Sequence, residues 1–176
     1  VLGTVRKLGG VAVCTATEHH AVLHCVEHIG GTVVPVTPAG SVDPDVMRAV
    51  LTDLDNVAVV SVMAVNNETG AISDLEHISH AVRRQAPDAL FHTDAVQAAC
   101  WIDLRTVRPY VDCLTLSAHK FGGPKGSGIM YLRNGVHLEP LIFGGGQERD
   151  RRSGTHNVAG IVGTATALHI TDTHRA

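Results

Sequence analysis

Two side chains of opposite charge, Lys120 and Asp94, each follow a short apolar run that predicts a buried strand. Residues 111–116 predict one strand, and Lys120 comes shortly after it, before a Gly/Pro-rich turn. Residues 89–93 predict the other strand, which runs directly into Asp94. Ligands of open α/β sheets bind outside the carboxyl ends of the strands. The sequence therefore predicts that an amine and a carboxylate lie close together where a small molecule binds.

An amine and a carboxylate at this edge are what pyridoxal phosphate requires, namely a lysine that forms a Schiff base and an acid beside the pyridine nitrogen. The pair by itself is not specific, because most lysines and aspartates at loop starts are solvated. Lys125 is a rival to Lys120, but it lies inside Gly123-Pro124-Lys125-Gly126, where a solvated turn lysine is expected. Lys120 follows its strand more closely and is the better candidate.

Five groups of residues, in one order along the chain, resemble the cysteine desulfurases, which are class V aminotransferases of fold type I. The groups are Thr17-Glu18-His19, Asn66-Asn67-Glu68-Thr69-Gly70, His92-Thr93-Asp94-Ala95-Val96-Gln97, Ser117-Ala118-His119-Lys120 with Gly122-Gly123-Pro124-Lys125-Gly126, and Gly144-Gly145-Gly146-Gln147-Glu148-Arg149 with Arg152-Ser153-Gly154-Thr155. The resemblance runs from about Val11 to Leu168. It implies that pyridoxal 5'-phosphate is the cofactor, that Lys120 binds it covalently and that Asp94 pairs with its ring nitrogen.

By the same resemblance, three further side chains meet the cofactor ring or the substrate. His19 would stack on the ring and move protons, a role that suits a flat group titrating near neutral pH. A helix-capping or surface histidine is the alternative for this residue. Asn67 and Gln97 would lie near the phenolic oxygen, where an amide donor stabilises the oxygen as an anion. Asn67 would also reach the carboxylate of the substrate.

The resemblance also implies a phosphate site and a partner subunit. Ser117 and His119 would donate hydrogen bonds to the cofactor phosphate and so replace its hydration. Thr155 would reach the phosphate bound to the neighbouring subunit, so a homodimer with shared active sites is expected. The implied substrate is L-cysteine, and the implied further partner is a sulfur acceptor or scaffold protein.

Composition is that of an ordinary globular domain. With 176 residues, 44% of them hydrophobic, residues 1–176 can bury one core, which we expect to be an incomplete pyridoxal-phosphate-binding large domain. The net charge of -3 and the aromatic content of 3% indicate no nucleic-acid surface. Four scattered cysteines without CxxC spacing predict reduced thiols. No apolar run approaches the length of a membrane span, so we expect a cytoplasmic protein.

Strand-like runs alternate with helical patterns along the chain. The runs are residues 11–16, 32–36, 57–63, 89–93, 111–116 and 128–132. This alternation predicts an α/β fold in three layers, with a mostly parallel sheet covered by helices. Such a sheet agrees with the large domain of a fold type I aminotransferase that the resemblance implies.

Several helices are predicted from capping signals and apolar stripes. Residues 1–8 predict the tail of one helix, and residues 19–29 predict another. The core face of the second would carry Val22, Cys25, Val26 and Ile29. Pro44 predicts a first helical position, and Ser73 with Glu76 predicts a capping box at the start of a further helix.

A row of histidines lies on the opposite face of the helix over residues 19–29. His20, His24 and His28 have spacings at which two imidazoles on one helical face can bind zinc, nickel or copper. Neither a nearby cysteine nor an evident carboxylate completes such a site. The row therefore predicts a solvated face and no metal, and His77 and His80 receive the same interpretation.

Three features of cysteine desulfurases are not found within residues 1–176. The upstream segment that also holds the phosphate would precede Val1, and the sulfur-accepting cysteine and substrate-binding arginine would follow Ala176. None of Cys14, Cys25, Cys100 and Cys113 matches that nucleophile. We therefore expect a fragment of a desulfurase that converts L-cysteine into L-alanine and delivers persulfide sulfur, for iron-sulfur cluster biogenesis or other uses.

Two alternatives remain open from the sequence. Selenocysteine lyases resemble this family across the same cofactor-binding motifs, and the region that separates the two activities is not present. A non-catalytic cofactor-binding remnant is the other alternative, because the persulfide cysteine is absent from these residues.

Overall fold

A six-stranded sheet forms the centre of the protein in the computed structural model, which describes residues 9–175. The strands are β1 (Val11–Thr15), β2 (Thr32–Val34), β3 (Val57–Ser61), β4 (Leu90–Asp94), β5 (Cys113–Ser117) and β6 (Gly128–Leu132). Their order across the sheet is β2-β1-β3-β4-β5-β6, and the neighbouring pairs are parallel except for β5 with β6. The predicted mostly parallel α/β sheet is confirmed.

Helices and short 3-10 turns connect the strands. The helices are α1 (His20–His28), α2 (Pro44–Thr52), α3 (Leu75–Gln85), α4 (Leu104–Val107) and α5 (Val158–His174). The 3-10 turns are Ala98–Cys100, Arg108–Tyr110 and Ala118–Phe121. A further one-turn segment, Gln147–Asp150, contains left-handed residues at Glu148 and Arg149. The predicted helix over residues 1–8 lies outside the described residues.

Both faces of the sheet are covered, which gives the three layers. Helix α1 packs against one face through a cluster that includes Ala12 and Val59. Helices α2 and α3 pack on the other face, where Val13 and Val60 belong to the larger core cluster. Neighbouring residues separate into the two clusters because successive side chains of a strand point to opposite faces. Phe91, at 0% exposure, is the largest of the fully buried side chains and contributes about 1.5–3 kcal/mol by its burial.

The start of α3 differs from the predicted capping box. Asp74, not Ser73, is the N-cap, and its Oδ1 accepts a hydrogen bond from His77 N at 3.2 Å. The Ser73 hydroxyl instead donates to the carbonyl oxygen of Met63 at 2.7 Å, beyond the end of β3. Ser73 therefore joins the helix start to the sheet, and the cap falls to the next residue with a suitable side-chain oxygen.

The core face of α1 also differs from its prediction at one position. Val22, Val26 and Ile29 contact the sheet cluster as predicted, but Cys25 is exposed and Leu23 takes part in its place. Both Leu23 and Cys25 lie at the margins of the apolar stripe, and the larger side chain gains more by burial. The prediction that Cys25 packs into the core is therefore wrong.

Strand β5 begins later than the predicted run of residues 111–116. Asp112 precedes the strand, and its Oδ2 accepts a hydrogen bond from Phe91 N at 2.8 Å. The strand continues to Ser117, so Ser117 is its last residue and not part of the following turn.

No helix within residues 9–175 has the length and apolar character needed to cross a bilayer.

Candidate active site

Asp94 is the last residue of β4 and lies at the carboxyl edge of the sheet, in register with Thr115 of β5. Its backbone oxygen accepts a hydrogen bond from Ala64 N at 2.9 Å, and its Oδ1 accepts one from Val96 N at 2.9 Å. Burial raises the pKa of this carboxyl, while the hydrogen bond from Val96 and the nearby His19 lower it. A cationic group beside Asp94 would therefore be stabilised.

His19 lies between β1 and α1 and is the N-cap of that helix. Its Nδ1 accepts a hydrogen bond from Ala21 N at 3.1 Å, so a neutral ring carries its proton on Nε2. The ring is exposed and, with Asn67, helps to line a cavity of about 230 Å³. The structure therefore has the helix cap that was the alternative for His19. Capping uses Nδ1, so Nε2 is the ring nitrogen that remains for a ligand.

Lys120 lies in the 3-10 turn Ala118–Phe121, which follows β5 directly. Gly122 ends this turn with a φ of 82°, a left-handed value that glycine adopts without strain. The Lys120 side chain is exposed, and its backbone oxygen accepts a hydrogen bond from the Cys100 thiol at 3.4 Å. Because β4 and β5 are adjacent and parallel, Asp94 and the Lys120 turn lie at the same edge of the sheet.

Ser117 and His119 stand together where β5 enters the Lys120 turn. The Ser117 hydroxyl and the His119 Nδ1 are 2.9 Å apart. Ser117 is partly buried and His119 is exposed. A hydroxyl and an imidazole side by side supply hydrogen-bond donors of the kind that bind a phosphate group.

Asn67 and Gln97 follow the ends of β3 and β4. The neighbouring Asn66 is committed to the loop, since its Nδ2 donates to Thr17 O at 2.8 Å and its Oδ1 accepts from Thr69 N at 2.8 Å. Asn67 is exposed at the cavity that His19 also lines. Gln97 is partly buried and precedes the 3-10 turn Ala98–Cys100.

Thr155 is not joined to these side chains. It is exposed between the buried Ser153 and the start of α5. Within residues 9–175, no hydrogen bond connects Thr155 to the other candidate residues. Its predicted contact with a neighbouring subunit stays a prediction.

The residues at this edge fit pyridoxal phosphate by the chemistry of their side chains. Lys120 offers an exposed amine, and Asp94 offers a buried carboxylate that favours a cationic partner. Ser117 and His119 offer donors for an anionic phosphate. His19 offers a flat ring with Nε2 available beyond its helix cap.

The histidine row on α1 is exposed, as predicted for a solvated face. The rings of His20 and His24 stack with centroids 4.5 Å apart, and His28 is exposed one turn further on. Among residues 9–175, no group of three or more histidine, cysteine, aspartate or glutamate side chains has the geometry of a metal site.

A buried polar chain beneath the site was missed by the sequence analysis. It contains Glu18, Ser61, His92 and Thr115, which are joined by side-chain contacts of 2.8–3.3 Å. Burial raises the pKa of Glu18 to about 7 and lowers the pKa of His92 to about 4. Polar residues on apolar strands were the available signal, since a buried polar side chain needs a partner.

Most of the chain matches the model of one known protein family. Residues 2–175 match the family model of the class-V aminotransferases. A cysteine desulfurase IscS of Methanosarcina thermophila is 40% identical over 170 residues, which cover 94% of this chain and 41% of that protein. A cysteine desulfurase of Cereibacter sphaeroides is 44% identical over 164 residues, which cover 90% of this chain and 41% of that protein.

Solved structures show the same fold. A NifS-like protein superposes with a TM-score of 0.85 at 41% identity. The match covers 97% of this chain and 48% of that protein's chain. A NifS-like protein from Rickettsia africae superposes with a TM-score of 0.88 at 28% identity. This match covers 99% of this chain and 49% of that protein's chain. The chain thus spans less than half the length of the curated relatives it matches.

Proposed function

This chain belongs to the class-V aminotransferase family, and on that premise we propose that the whole protein is a pyridoxal-phosphate-dependent cysteine desulfurase. Pyridoxal phosphate is the cofactor of such enzymes. The observation that carries the proposal is the shared strand edge, where the buried Asp94 ends β4 and the Lys120 turn follows β5. Relatives named cysteine desulfurase, at about 40% identity, support this substrate over other amino acids.

Each candidate side chain has a defined task in this proposal. When bound, pyridoxal phosphate supplies an electron sink for negative charge at the substrate α-carbon. Asp94 would hold the proton of the ring nitrogen through a charge-assisted hydrogen bond, which its burial would strengthen. Lys120 attaches the cofactor through its amine, and His19 exchanges a proton at Nε2.

The remaining residues hold the cofactor in place. Ser117 and His119 donate to the phosphate, and their mutual contact of 2.9 Å keeps both side chains at the same point. Asn67 and Gln97, which follow the neighbouring strands β3 and β4, would donate to the phenolic oxygen, and Asn67 would also meet the substrate carboxylate. These assignments follow the motifs of the family and the strand-end positions of the side chains.

The proposed products are L-alanine and a persulfide on a cysteine thiolate, which passes its sulfur to an acceptor or scaffold protein. The name IscS of the relatives supports a role in iron-sulfur cluster biogenesis. A thiolate must attack the substrate sulfur in near contact. We propose that this thiolate belongs to a cysteine outside residues 1–176.

We also propose a homodimer in the cytoplasm, with residues 1–176 as part of the cofactor-binding large domain. Exposed apolar side chains on α5, among them Val158, Ile161 and Val162, support a further protein surface against this helix. Thr155, exposed just before α5, would then meet the cofactor phosphate of the partner. Sedimentation of the full-length protein tests the dimer directly.

Borohydride reduction of the full-length holoenzyme tests the cofactor site. We expect peptide mapping to find the reduced cofactor on Lys120, because this amine lies in the turn at the strand edge. Lys120→Ala should lose both this label and the formation of alanine and sulfide from L-cysteine. Lys125→Ala is the matched control and should keep both, since Lys125 is solvated in the next turn. A label on Lys125 in the unaltered protein would contradict the assignment.

A further inference from the structure

A continuous chain of four polar side chains runs from the turn after β1 across β3, β4 and β5 beneath the candidate active site. The Ser61 hydroxyl lies 3.3 Å from Glu18 Oε2 and 2.8 Å from His92 Nδ1. The other ring nitrogen, His92 Nε2, lies 3.1 Å from Thr115 Oγ1. Glu18, Ser61 and His92 are 4–5% exposed, whereas Thr115 is partly open at the end of the chain.

Glu18 is held at the closed end of this chain. Its Oε1 accepts hydrogen bonds from Thr15 Oγ1 at 2.7 Å and from Met63 N at 2.6 Å, so Oε2 is the oxygen that faces Ser61. Burial is the main cause that raises the pKa of Glu18 to about 7, and the charge of Asp94 adds to it. Glu18 therefore exists in both protonation states near neutral pH.

Of the titratable groups near Glu18, Cys14 and His92 do not take up its proton near neutral pH. Cys14 of β1 is buried, and the nearby Glu18 charge helps to raise the pKa of its thiol to about 12. His92 of β4 is kept neutral by burial, with its pKa lowered to about 4. Asp94 of β4 has its own pKa raised, and His19 from the start of α1 acts on Asp94.

The charge of Glu18 fixes the direction of every hydrogen bond in the chain. When Glu18 is ionised, Ser61 donates to it, so the Ser61 oxygen accepts from His92 Nδ1–H. A neutral ring with its proton on Nδ1 accepts at Nε2, here from the Thr115 hydroxyl. When Glu18 Oε2 carries a proton, Ser61 must donate to Nδ1, and Nε2–H then donates to Thr115.

We propose that Glu18, Ser61, His92 and Thr115 form a proton relay that connects a buried proton store, Glu18, to the floor of the candidate active site. Proton transfer along this relay requires neither an oxidant nor a reductant. Thr115 gains a proton from the crevice and gives its own to His92 Nε2, while Nδ1–H passes to Ser61 and the Ser61 proton passes to Glu18. One proton enters at Thr115, one is added to Glu18, and His92 changes its neutral tautomer.

Thr115 places the outer end of the relay next to Asp94. Thr115 is in register with Asp94 on the neighbouring strand, and His92 lies two residues before Asp94 on the same face of the sheet. Protonation of Glu18 therefore turns the Thr115 hydroxyl from a donor toward His92 into an acceptor from His92 Nε2–H, so that the hydroxyl proton is directed away from His92. The relay depends on these contacts and not on the proposed desulfurase reaction.

Ring nitrogen shifts of His92 test the relay in the full-length protein labelled with 15N-histidine. Comparison with His92→Gln assigns the signals. At pH about 8.5 we expect the proton on Nδ1, and at pH about 5.5 on Nε2, since these values lie on either side of the Glu18 pKa of about 7. Glu18→Gln should hold the Nε2–H tautomer at both pH values, because its amide donates to Ser61 as a protonated carboxyl does.

Two serine variants control the experiment. Ser61→Ala breaks the chain and should abolish the pH response of His92, which keeps the test decisive if Glu18→Gln does not fold. Ser79→Ala removes an equally buried hydroxyl that donates to Tyr110 O at 2.9 Å, so it should keep the response of the unaltered protein. One tautomer at both pH values in the unaltered protein, or an intact response in Ser61→Ala, would overturn the relay. Because none of these readouts uses turnover, failure of the relay is distinct from failure of the proposed activity.

Discussion

At the scale of the single residue, Asp94 combines burial with the negative charge that the proposed function requires of it. The carboxyl is 7% exposed, and burial raises its pKa. A protonated pyridine nitrogen would offset that burial and would itself be stabilised by a charge-assisted hydrogen bond of about 1.5–3 kcal/mol. If the proposed function is right, the proton on the cofactor ring would depend on Asp94 more than the affinity for the cofactor would.

Asp94→Ala should therefore lower turnover far more than cofactor content. A loss of about 1.5–3 kcal/mol corresponds to a fall in kcat of roughly 10- to 100-fold. Alanine formation and the absorbance of bound cofactor, measured on the same full-length preparation, separate the two effects. Asp88→Ala is a matched surface control, because Asp88 is exposed just before β4. Turnover near that of the unaltered protein in Asp94→Ala would contradict the assigned role.

Glu18 and His92 affect stability with opposite signs over overlapping pH ranges. The folded-state pKa of Glu18 is raised from 4.5 to about 7, so its contribution to stability is present below about 4.5 and is lost as the pH rises through about 7. The folded-state pKa of His92 is lowered from 6.5 to about 4, so its contribution is present above about 6.5 and is lost as the pH falls to about 4. Between about 4.5 and 6.5 the two effects offset each other.

Glu18→Gln should reveal the pH dependence that His92 alone gives to the free energy of unfolding. The free energy of unfolding of this variant should rise by about 2–3 kcal/mol between pH about 4 and pH about 6.5 relative to the unaltered protein. Urea unfolding across this range measures the difference. Glu27→Gln, at an exposed position on α1, should follow the unaltered protein. Parallel pH profiles for Glu18→Gln and Glu27→Gln would contradict the opposing titrations.

Sequence reasoning found the residues at the strand ends but not those beneath them. Asp94 and Lys120 could be predicted because each follows an apolar run, and a polar residue at that point marks a sheet edge. Ser61, His92 and Thr115 lie inside strands, where their partners come from other strands. Such contacts depend on register, which the sequence pattern does not specify between parallel strands.

At the scale of the element, the 3-10 turn after β5 positions Lys120. Gly123 N donates to Ala118 O at 2.8 Å and closes the turn. A Cβ at Gly123 would lie 2.9 Å from Ala118 Cβ and 3.0 Å from Ala118 O, closer than packed atoms tolerate. The glycine is therefore required by the close approach of two backbone segments, and not by its own flexibility.

Gly123→Ala should open this turn. We expect a loss of about 1–3 kcal/mol in stability from the overpacking, together with weaker retention of the cofactor. Gly145→Ala is the matched control, because its Cβ would meet chiefly the amide end of Gln147, a flexible side chain whose shift costs at most its one hydrogen bond from Gly154 N. Urea unfolding and dialysis of the bound cofactor measure the two effects. Equal behaviour of the two variants would indicate that the turn does not position Lys120.

The elements with a clear apolar period were predictable, and those without one were not. All six strands lie within two residues of their predicted starts, since short apolar runs bounded by turn residues have few other interpretations. Helix α5 was not predicted. Apolar side chains occur on all of its sides, with Val158, Ile161, Val162 and Ile170 exposed, so no single stripe marks it.

At the scale of the whole molecule, residues 1–176 hold the candidate cofactor site without a thiol suited to accept sulfur. Cys14 and Cys113 are fully buried, and burial raises the pKa values of their thiols to about 12 and about 11. Such groups remain thiols near neutral pH and are inert as nucleophiles. Cys25 is exposed on α1, and the Cys100 thiol donates to Lys120 O at 3.4 Å.

Residues 1–176 by themselves should therefore not release sulfide from L-cysteine, even with pyridoxal phosphate added. A persulfide forms when a thiolate reaches the substrate sulfur in near contact, and a thiol fixed against a backbone oxygen does not meet that geometry. The assay measures sulfide in the presence of dithiothreitol for residues 1–176, for their Cys100→Ser and Cys25→Ser variants, and for the full-length protein. The full-length protein should turn over. Robust turnover by residues 1–176 that Cys100→Ser abolishes, while Cys25→Ser does not, would identify Cys100 as the nucleophile and overturn the proposal of a cysteine elsewhere.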